Sequence, residues 1–433
     1  MRSCSSALFR TACVAGAAAL SALAQGGGSA NSLEDLVRTA LARNPDLLAA
    51  RQRLAEAQGV LRQAGLRPNP SIDISVANGD VLNSRGERQF ELGYSHVFET
   101  GGKRTLQVDA ARLRAEIVRL EIADRERLLR ADVKARYVEA LAAMRNLGNA
   151  RGLLELTRKS HELARARTRE GEGAPLEQGL LQVEVNRIDS DRLLFQSQVE
   201  RAVLDLEFLA GMDGDGNLLV TERLAPPLVT IEPERAVEQA LAGRPDLQAA
   251  RIEESLAGTE SAVARAEASP NVVATGRYQH TRSRFDQYGF AQPSGPVTPL
   301  RDRDNVMTAG ISIALPVRNR NQGNIEAAVA RGRAARLRRD ALERSVRLEV
   351  RAAVNRYEAA RRALRILEQG VVEQSAENLR IIRGAYELGE LRLLDVINEQ
   401  RRLLEAQRAY TELLRDTNAA VAELERAIGG PVE

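Results

Sequence analysis

Four short segments of the chain alternate apolar and polar residues with a period of two. This period is typical of β-strands that have one apolar and one polar or small face. The pattern predicts strands in residues 71–77, 90–98, 271–281 and 305–315. The apolar faces of the first, second and fourth predicted strands include Ile72, Ile74, Val76, Phe90, Leu92, Tyr94, Met307, Ile311 and Ile313.

Helical periodicity covers most of the remaining chain, which is rich in Ala, Leu, Arg and Glu. At 1.5 Å per residue, the two longest predicted helices each extend about 100 Å. A helix of that length needs coiled-coil-like neighbours along its course. The predicted helices are 33–67, 103–170 and 172–210, followed by 233–268, 323–388 and 391–428.

The chain contains an internal repeat. Residues 40–51 recur as residues 240–251, and Pro70 and Pro270 keep the same offset of 200 residues. We interpret this as a tandem duplication, with a first repeat in 25–230 and a second in 231–429. Each repeat is predicted to contain a helix, a β-hairpin (71–98 or 271–315), a long helix and a return helix. About 20 additional residues in the second repeat are assigned to its hairpin loop, residues 284–304.

The N-terminus has the pattern of an export signal. Arg2 and Arg10 form a basic start, and an apolar stretch over 12–24 follows. The stretch ends in the small residues Ala22 and Ala24. We therefore expect residues 1–24 to be a signal peptide that is removed, with the mature chain beginning at Gln25.

Composition excludes several classes of function. The net charge is +3, and two of these charges lie in the expected signal peptide, so the charge gives no reason to expect a nucleic-acid partner. Both cysteines precede the expected cleavage point. The three histidines are not spaced for joint metal binding, and no phosphate-binding loop is found. We expect no catalytic residue, no metal site and no cofactor, and we expect any energy to come from a partner protein.

Segments of about 7 to 11 residues suit tilted strands that cross an outer membrane. Four strands cannot close a barrel, and open strand edges are not tolerated in lipid, so closure would require several chains. The export signal and the long helices favour this interpretation. An ordinary antiparallel sheet packed on the helices remains the alternative.

The order of elements resembles the TolC family of outer membrane efflux proteins over residues 32–429. The resemblance rests on the stretches at 40–47 and 386–396. Two further stretches, 98–104 and 315–324, resemble the CzcC-like branch, whose members are outer subunits of heavy-metal efflux systems.

This resemblance implies a mixed fold, with a long α-helical barrel and a transmembrane β-barrel that are built by a homotrimer. It implies an outer-membrane protein that contacts lipid and extends into the periplasm. The implied partners are a periplasmic adaptor protein and an inner-membrane pump of the RND type. The implied function is the exit channel for substrate, with heavy-metal cations favoured as cargo. Drug efflux, type I protein secretion and a periplasmic coiled-coil scaffold without a pore remain alternatives.

The resemblance also implies that the far ends of the long helices form a periplasmic tip and gate. Tyr386 and Asp395 match tip residues that take part in closure, and Arg392 stands one position after the family's tip arginine. Gly171 and Glu177 occupy the equivalent turn of the first repeat, as Gly389 and Asp395 do in the second. An ordinary helix–helix turn is the alternative for each of these residues.

Overall fold

A computed structural model of the chain is a long helical assembly that carries a β-sheet. The expected signal peptide of residues 1–24 and the tip residue Gly389 lie outside the described residues. Among the described helices, none has both the length and the apolar character that a membrane-spanning helix needs. The described residues are 32–78, 87–171, 173–216, 218–220, 222–227, 229–290, 293–388 and 390–432.

Helices form most of the described chain. The longest, α3, has 68 residues and is therefore about 100 Å long. A π-helical segment, Glu368–Val372, joins α7 to α8. The α-helices are α1 (Leu33–Arg43), α2 (Pro45–Ala64), α3 (Lys103–Glu170), α4 (Pro175–Leu209), α5 (Pro233–Gly243), α6 (Pro245–Glu267), α7 (Gln322–Leu367), α8 (Glu373–Glu387) and α9 (Leu393–Ile428).

The prediction of one continuous helix over 33–67 was wrong, because the chain breaks between α1 and α2 at Asn44. Pro45 has no N–H group, and its ring disfavours helical geometry in the preceding residue, so Asn44 takes an extended ψ of 123°. The Asn44 side chain accepts a hydrogen bond from the Leu47 N–H at 3.1 Å and caps α2. It also donates to the Leu209 carbonyl at 3.0 Å, and thereby ties α2 to the end of α4.

The prediction of a continuous helix over 233–268 was wrong for the same reason, since Pro245 begins α6 after Arg244. Arg244 is only 4% exposed. Its guanidinium donates to the Ala427 carbonyl of α9 at 3.2 Å, to Asp246 at 2.6 Å and to Glu349 of α7 at 2.7 Å. Burial raises the pKa of Asp246, but the hydrogen bonds and charge of Arg244 outweigh it, so this pKa lies below its ordinary value.

The long helix predicted over 323–388 is interrupted by the π-helical segment. At its first residue, Glu368 accepts a hydrogen bond from the Tyr410 hydroxyl of α9 at 2.7 Å. The guanidinium of Arg145 lies 5.0 Å from the centre of the Tyr410 ring. A π-turn inserts one residue into the helical ladder, so this contact lies where the helix departs from regular geometry.

The strands form one antiparallel sheet in the order β1-β2-β3-β4. The hairpin of the first half of the chain pairs with that of the second through β2 and β3, where Leu92 lies opposite Tyr278. The strands are β1 (Ser71–Asn78), β2 (Arg88–Phe98), β3 (Val272–Phe290) and β4 (Val297–Ile313).

The prediction of a loop over 284–304 was wrong. Strands β3 and β4 continue to pair as far as Phe290 and Val297, with one register shift between Arg284 and Tyr288. The segment 301–304 reads Arg-Asp-Arg-Asp, which has a period of two although both faces are charged. Polar composition suggested a loop, whereas the alternation indicated strand.

The apolar core lies between the helices as separate clusters along their length. The largest cluster joins α1, α3, α4 and α9 around buried residues that include Leu36, Tyr137, Leu206 and Leu414. A second cluster joins α5, α7 and α9 around Val346 and Leu424. Each helix therefore depends on its neighbours along its length, as expected for rods of this kind.

We predict that Gly211→Ala destabilises the protein more than Gly214→Ala. Both glycines have positive φ, +67° and +75°, so each substitution costs about 1 kcal/mol in backbone conformation. A Cβ at residue 211 would also lie 2.6 Å from the Arg43 carbonyl oxygen, whereas one at residue 214 would meet nothing within 4 Å. We expect Gly211→Ala to lower the unfolding free energy by about 1–3 kcal/mol more, measured by thermal unfolding. Equal losses in the two variants would contradict the proposed contact.

Candidate functional site

The nine apolar strand residues that the sequence singled out share one face of the sheet. Residues directly opposite each other in an antiparallel pair point to the same side. The register pairs Ile74 with Leu92, Leu92 with Tyr278, and Tyr278 with Met307, so one apolar row crosses all four strands. The predicted members of this apolar face are all present and exposed: Ile72, Ile74, Val76, Phe90, Leu92, Tyr94, Met307, Ile311 and Ile313.

The apolar face has the length of a bilayer crossing. On β3 it runs from Val272, opposite Ile313, to His280, opposite Asn305. This stretch of β3, residues 272–280, is nine residues long and matches the roughly 9–11 residues of a tilted transmembrane strand. Met307 is 87% exposed, which shows that no described helix covers the face. The prediction of a sheet with a common apolar face is therefore met, and the helices leave that face open.

The opposite face of the sheet is polar. Arg277 of β3 pairs with Glu91 of β2 at 3.0 Å. Most of the rest of this face is formed by small and polar residues, among them Asp73, Ser75, Ser95 and Thr308, together with Val97, Val273 and Val306. Alternation of an apolar outer side with a polar inner side is the pattern of an outer-membrane strand.

The sheet has two open edges. Within the described residues, β1 pairs only with β2 and β4 pairs only with β3. Each edge therefore presents backbone N–H and C=O groups that need a partner wherever water is excluded.

At the far end of the helices the structure brings the two turns together. Gly171 ends α3 with a φ of +78°, a conformation that glycine adopts without a steric penalty. Glu177 lies in the first turn of α4 and accepts a hydrogen bond from the Tyr386 hydroxyl of α8 at 3.4 Å. Burial and the negative charge of Glu177 raise the pKa of Tyr386. The first and second halves of the chain therefore meet at the tip.

A small apolar cluster supports this contact. Leu181 of α4 and Leu393 and Ile397 of α9 are buried together with Ala164 of α3, and Tyr386 packs against them. The two turns thus share one core, so Tyr386 and Glu177 are held by packing as well as by their hydrogen bond.

Arg392 and Asp395 lie at the start of α9. The Asp395 carboxylate accepts a hydrogen bond from the Arg392 backbone N–H at 3.1 Å, so it stabilises the helix N-terminus. Among the described residues of one chain, the Arg392 guanidinium forms no ion pair with Asp395. Asp395 therefore caps α9, a contact that the resemblance described above did not predict.

The sequence also gave no indication of a buried carboxylate close to the tip. Glu184 of α4 is 2% exposed and pairs with Arg187 at 2.7 Å and with Arg401 of α9 at 2.9 Å. Burial raises the pKa of Glu184, but the hydrogen bonds from Arg401 and Arg187 lower it more, and the pKa lies below its ordinary value. In sequence Glu184 is one of many helical glutamates, and only its position between two helices distinguishes it.

The described residues contain no group of three or more His, Cys, Asp or Glu side chains placed to hold a metal ion. The histidines His96 and His280 lie on the sheet, and His161 lies on α3, far along the chain from both. The described residues therefore provide an apolar sheet face, a polar sheet face and a tip contact. Their interactions are packing, ion pairing and hydrogen bonding.

Comparison with known proteins gives one family match over most of the chain. The model of the family described as outer membrane efflux protein matches residues 36–212 and 236–430. The cobalt-zinc-cadmium resistance protein CzcC of Cupriavidus metallidurans is 24% identical over 410 residues, which cover 92% of this chain and 90% of that protein. The nickel-cobalt-cadmium resistance protein NccC of Alcaligenes xylosoxydans xylosoxydans is 27% identical over 332 residues, covering 73% and 67%.

Solved structures show the same fold. The outer membrane protein VceC of Vibrio cholerae superposes with a TM-score of 0.69 at 22% identity, over 93% of this chain and 97% of that one. CusC superposes with a TM-score of 0.73 at 19% identity, over 94% and 96%. The TolC-like fold expected from the sequence is confirmed.

We predict that Glu184→Gln lowers the unfolding free energy by about 1–2 kcal/mol at pH 7, because two arginines lose a buried charged partner. The folded-state pKa of Glu184 is depressed below 4.5, so its contribution is complete above pH 4.5 and is lost as the pH falls through the depressed pKa. The difference between wild type and variant should therefore shrink below pH 4.5 in chemical unfolding experiments. Glu200→Gln, at an exposed position of the same helix, should show little change at either pH.

Proposed function

The chain belongs to the outer membrane efflux protein family, and from this premise we propose that it forms the exit duct of a three-part heavy-metal export system. As a member of that family it is an outer membrane channel and not an enzyme. In the proposed assembly, three copies form the channel, a periplasmic adaptor contacts its tip, and an inner-membrane pump supplies the energy.

The open sheet edges are the observation that carries the proposed trimer. Four strands with an exposed apolar face cannot remain alone in lipid, because the edge groups of β1 and β4 would be unpaired. If β4 of one copy paired with β1 of the next, three copies would make a closed sheet of about twelve strands, within the range of outer-membrane barrels. The apolar face would then contact lipid, and the polar face would line the pore.

Exposed leucines support the proposed adaptor contact at the tip. Leu388 is 79% exposed, and Leu176 of the neighbouring turn is 72% exposed. Leu391 and Leu394 are exposed beside them. Apolar side chains grouped at the end of a helical rod favour a protein partner there. The Tyr386–Glu177 contact fixes the two turns that would present this surface.

Heavy-metal cations are the cargo that the relatives favour. CzcC and NccC are named for resistance to cobalt, cadmium and zinc or nickel. No chelating group was found in the described residues, so we assign the choice of cargo to the pump and adaptor.

Deletion of the gene in its native host should raise sensitivity to cobalt, zinc and cadmium, and plasmid-borne wild type should restore resistance. Sensitivity to drugs alone would contradict the metal cargo.

We predict that detergent extraction from the outer-membrane fraction yields a particle of three copies, measured by native mass spectrometry. Each edge strand then finds a partner in the next copy. A monomer in the periplasmic fraction would contradict both the trimer and its location.

We predict that Ile311→Arg hinders membrane assembly more than Ser312→Arg. The two residues are adjacent on β4 and point to opposite faces. An arginine on the lipid face near the middle of the bilayer costs about 2–4 kcal/mol, whereas one on the pore face contacts water. Assembly can be measured as trimer yield in the outer-membrane fraction. Equal yields from the two variants would contradict the assigned faces.

We predict that Asp395→Ala, combined with Arg392→Ala, raises single-channel conductance in planar bilayers at unchanged trimer yield. Three copies would bring the tip charges together around the proposed axis, where Arg392 and Asp395 of neighbouring copies hold the closed state. Because Asp395 also caps α9, Asp395→Asn combined with Arg392→Ala is the matched double variant, which removes the same charges but keeps an oxygen acceptor at residue 395. An increase with Ala but not with Asn would assign the effect to the helix cap. Unchanged conductance in the double variant would remove both residues from the gate.

A further inference from the structure

Beyond the apolar face, the same side of the sheet carries arginines. Asn78, Arg88, Arg282 and Arg303 lie opposite one another on the four successive strands, one step beyond the level of His280 and Asn305. Arg284 and Arg301 lie opposite each other in the next step. We call these five arginines, in their two successive steps, the arginine rows.

The arginine rows are exposed, and no acidic side chain that the structure describes contacts the four arginines of β3 and β4. Among the described residues, no ion pair or side-chain hydrogen bond joins these four to another group. The acidic residues of this part of β4, Asp302 and Asp304, alternate with Arg301 and Arg303 and therefore point to the opposite face. Over 301–304 of β4 the sheet thus separates charge, with Arg301 and Arg303 on the side of the apolar face and Asp302 and Asp304 on the other.

Like charges placed directly opposite each other on neighbouring strands destabilise a sheet. Arg88 faces Arg282, Arg282 faces Arg303, and Arg284 faces Arg301. Such an arrangement is stable when anions lie between the side chains. Phosphate fits the guanidinium group well, since two parallel N–H groups can donate to two phosphate oxygens.

The position of the arginine rows along the strands indicates which molecules supply that phosphate. The first row lies two residues, or about 7 Å along the strand, from His280 and Asn305. At that boundary Asn305 accepts a hydrogen bond from the Tyr278 hydroxyl and contacts His280, both at 2.8 Å. Polar and aromatic groups of this kind mark the edge of the apolar band in outer-membrane strands. The helices join the opposite end of the sheet, so the rows lie at the external end.

We propose that the arginine rows bind the phosphate groups of lipids in the outer leaflet of the outer membrane. This inference rests on the proposed function, because that function directs the apolar face to lipid and the hairpin ends outward. In the trimer the rows of three copies form a basic belt around the barrel, directly above the apolar band. Phosphorylated headgroups neutralise the belt and fix the depth of the barrel.

The test compares binding of lipid A with binding of lipid A from which both phosphates have been removed, using the purified full-length protein in detergent. We expect the phosphorylated lipid to bind at least tenfold more tightly. Arg282→Gln with Arg303→Gln should weaken its binding at least fivefold and leave binding of the dephosphorylated lipid unchanged. The matched control, Arg344→Gln with Arg347→Gln, removes the same charge from exposed positions of α7 and should bind within twofold of wild type.

Equal binding of the two lipids by wild type would overturn the proposal without the need for any variant. Equal loss in the two double variants would also overturn it, since only overall charge would then matter. Full displacement of lipid A by inorganic phosphate or polyglutamate would show a general anion site and would likewise overturn it. Conductance of the same preparation separates this inference from the proposed function. A conducting trimer with equal lipid binding contradicts only the arginine rows, whereas a preparation that never conducts contradicts the channel.

Discussion

Unpaired backbone at the sheet edges is the constraint on which the architecture depends. A strand edge that faces water finds hydrogen-bond partners there, but one that faces hydrocarbon does not. The described sheet combines two open edges with an apolar face that none of the described helices covers. A single copy therefore cannot satisfy both its backbone and its side chains in one environment. The polar face, with Glu91 and Arg277 paired, can remain hydrated only if the sheet curves around water. Together these requirements favour a closed ring built from several copies.

The helices meet a different requirement, because they must remain straight over about 100 Å without one globular core. Their apolar contacts occur in separate clusters, from the one around Leu414 to the one around Leu393 at the tip. Between these clusters, charged contacts cross from helix to helix, as Glu184 with Arg401 and Asp191 with Arg408 do. Such contacts specify which helix faces which, while burial of apolar surface supplies most of the stability. The hydrogen bond from Tyr410 of α9 to Glu368 of the π-helical segment is another contact of this kind between helices.

The parts of the structure that could be predicted from sequence are those set by local periodicity. Helix α3 occupies the predicted residues 103–170, and the nine apolar strand residues share the predicted face. The helix breaks before Pro45 and Pro245 are also encoded locally, because proline disfavours helical geometry in the residue that precedes it. The extension of β3 and β4 follows the alternation of residues 301–304, although their charged composition is typical of a loop. The hydrogen bond between Tyr386 and Glu177 joins residues 209 positions apart, and no local pattern encodes that distance. Likewise, no local sequence pattern indicates that Glu184 is buried.

The contacts before the two prolines have a consequence for the history of the gene. In the tandem duplication that the sequence predicts, Asn44 and Arg244 hold equivalent positions, and each donates to a carbonyl at the end of a return helix. Arg244 also requires Glu349, whose counterpart at the offset of 220 residues is the buried Leu129. Recombination that copied the second segment over the first would place a guanidinium against leucine, with one acidic partner fewer. Under the predicted duplication, neither half could therefore replace the other at this contact without a loss of stability.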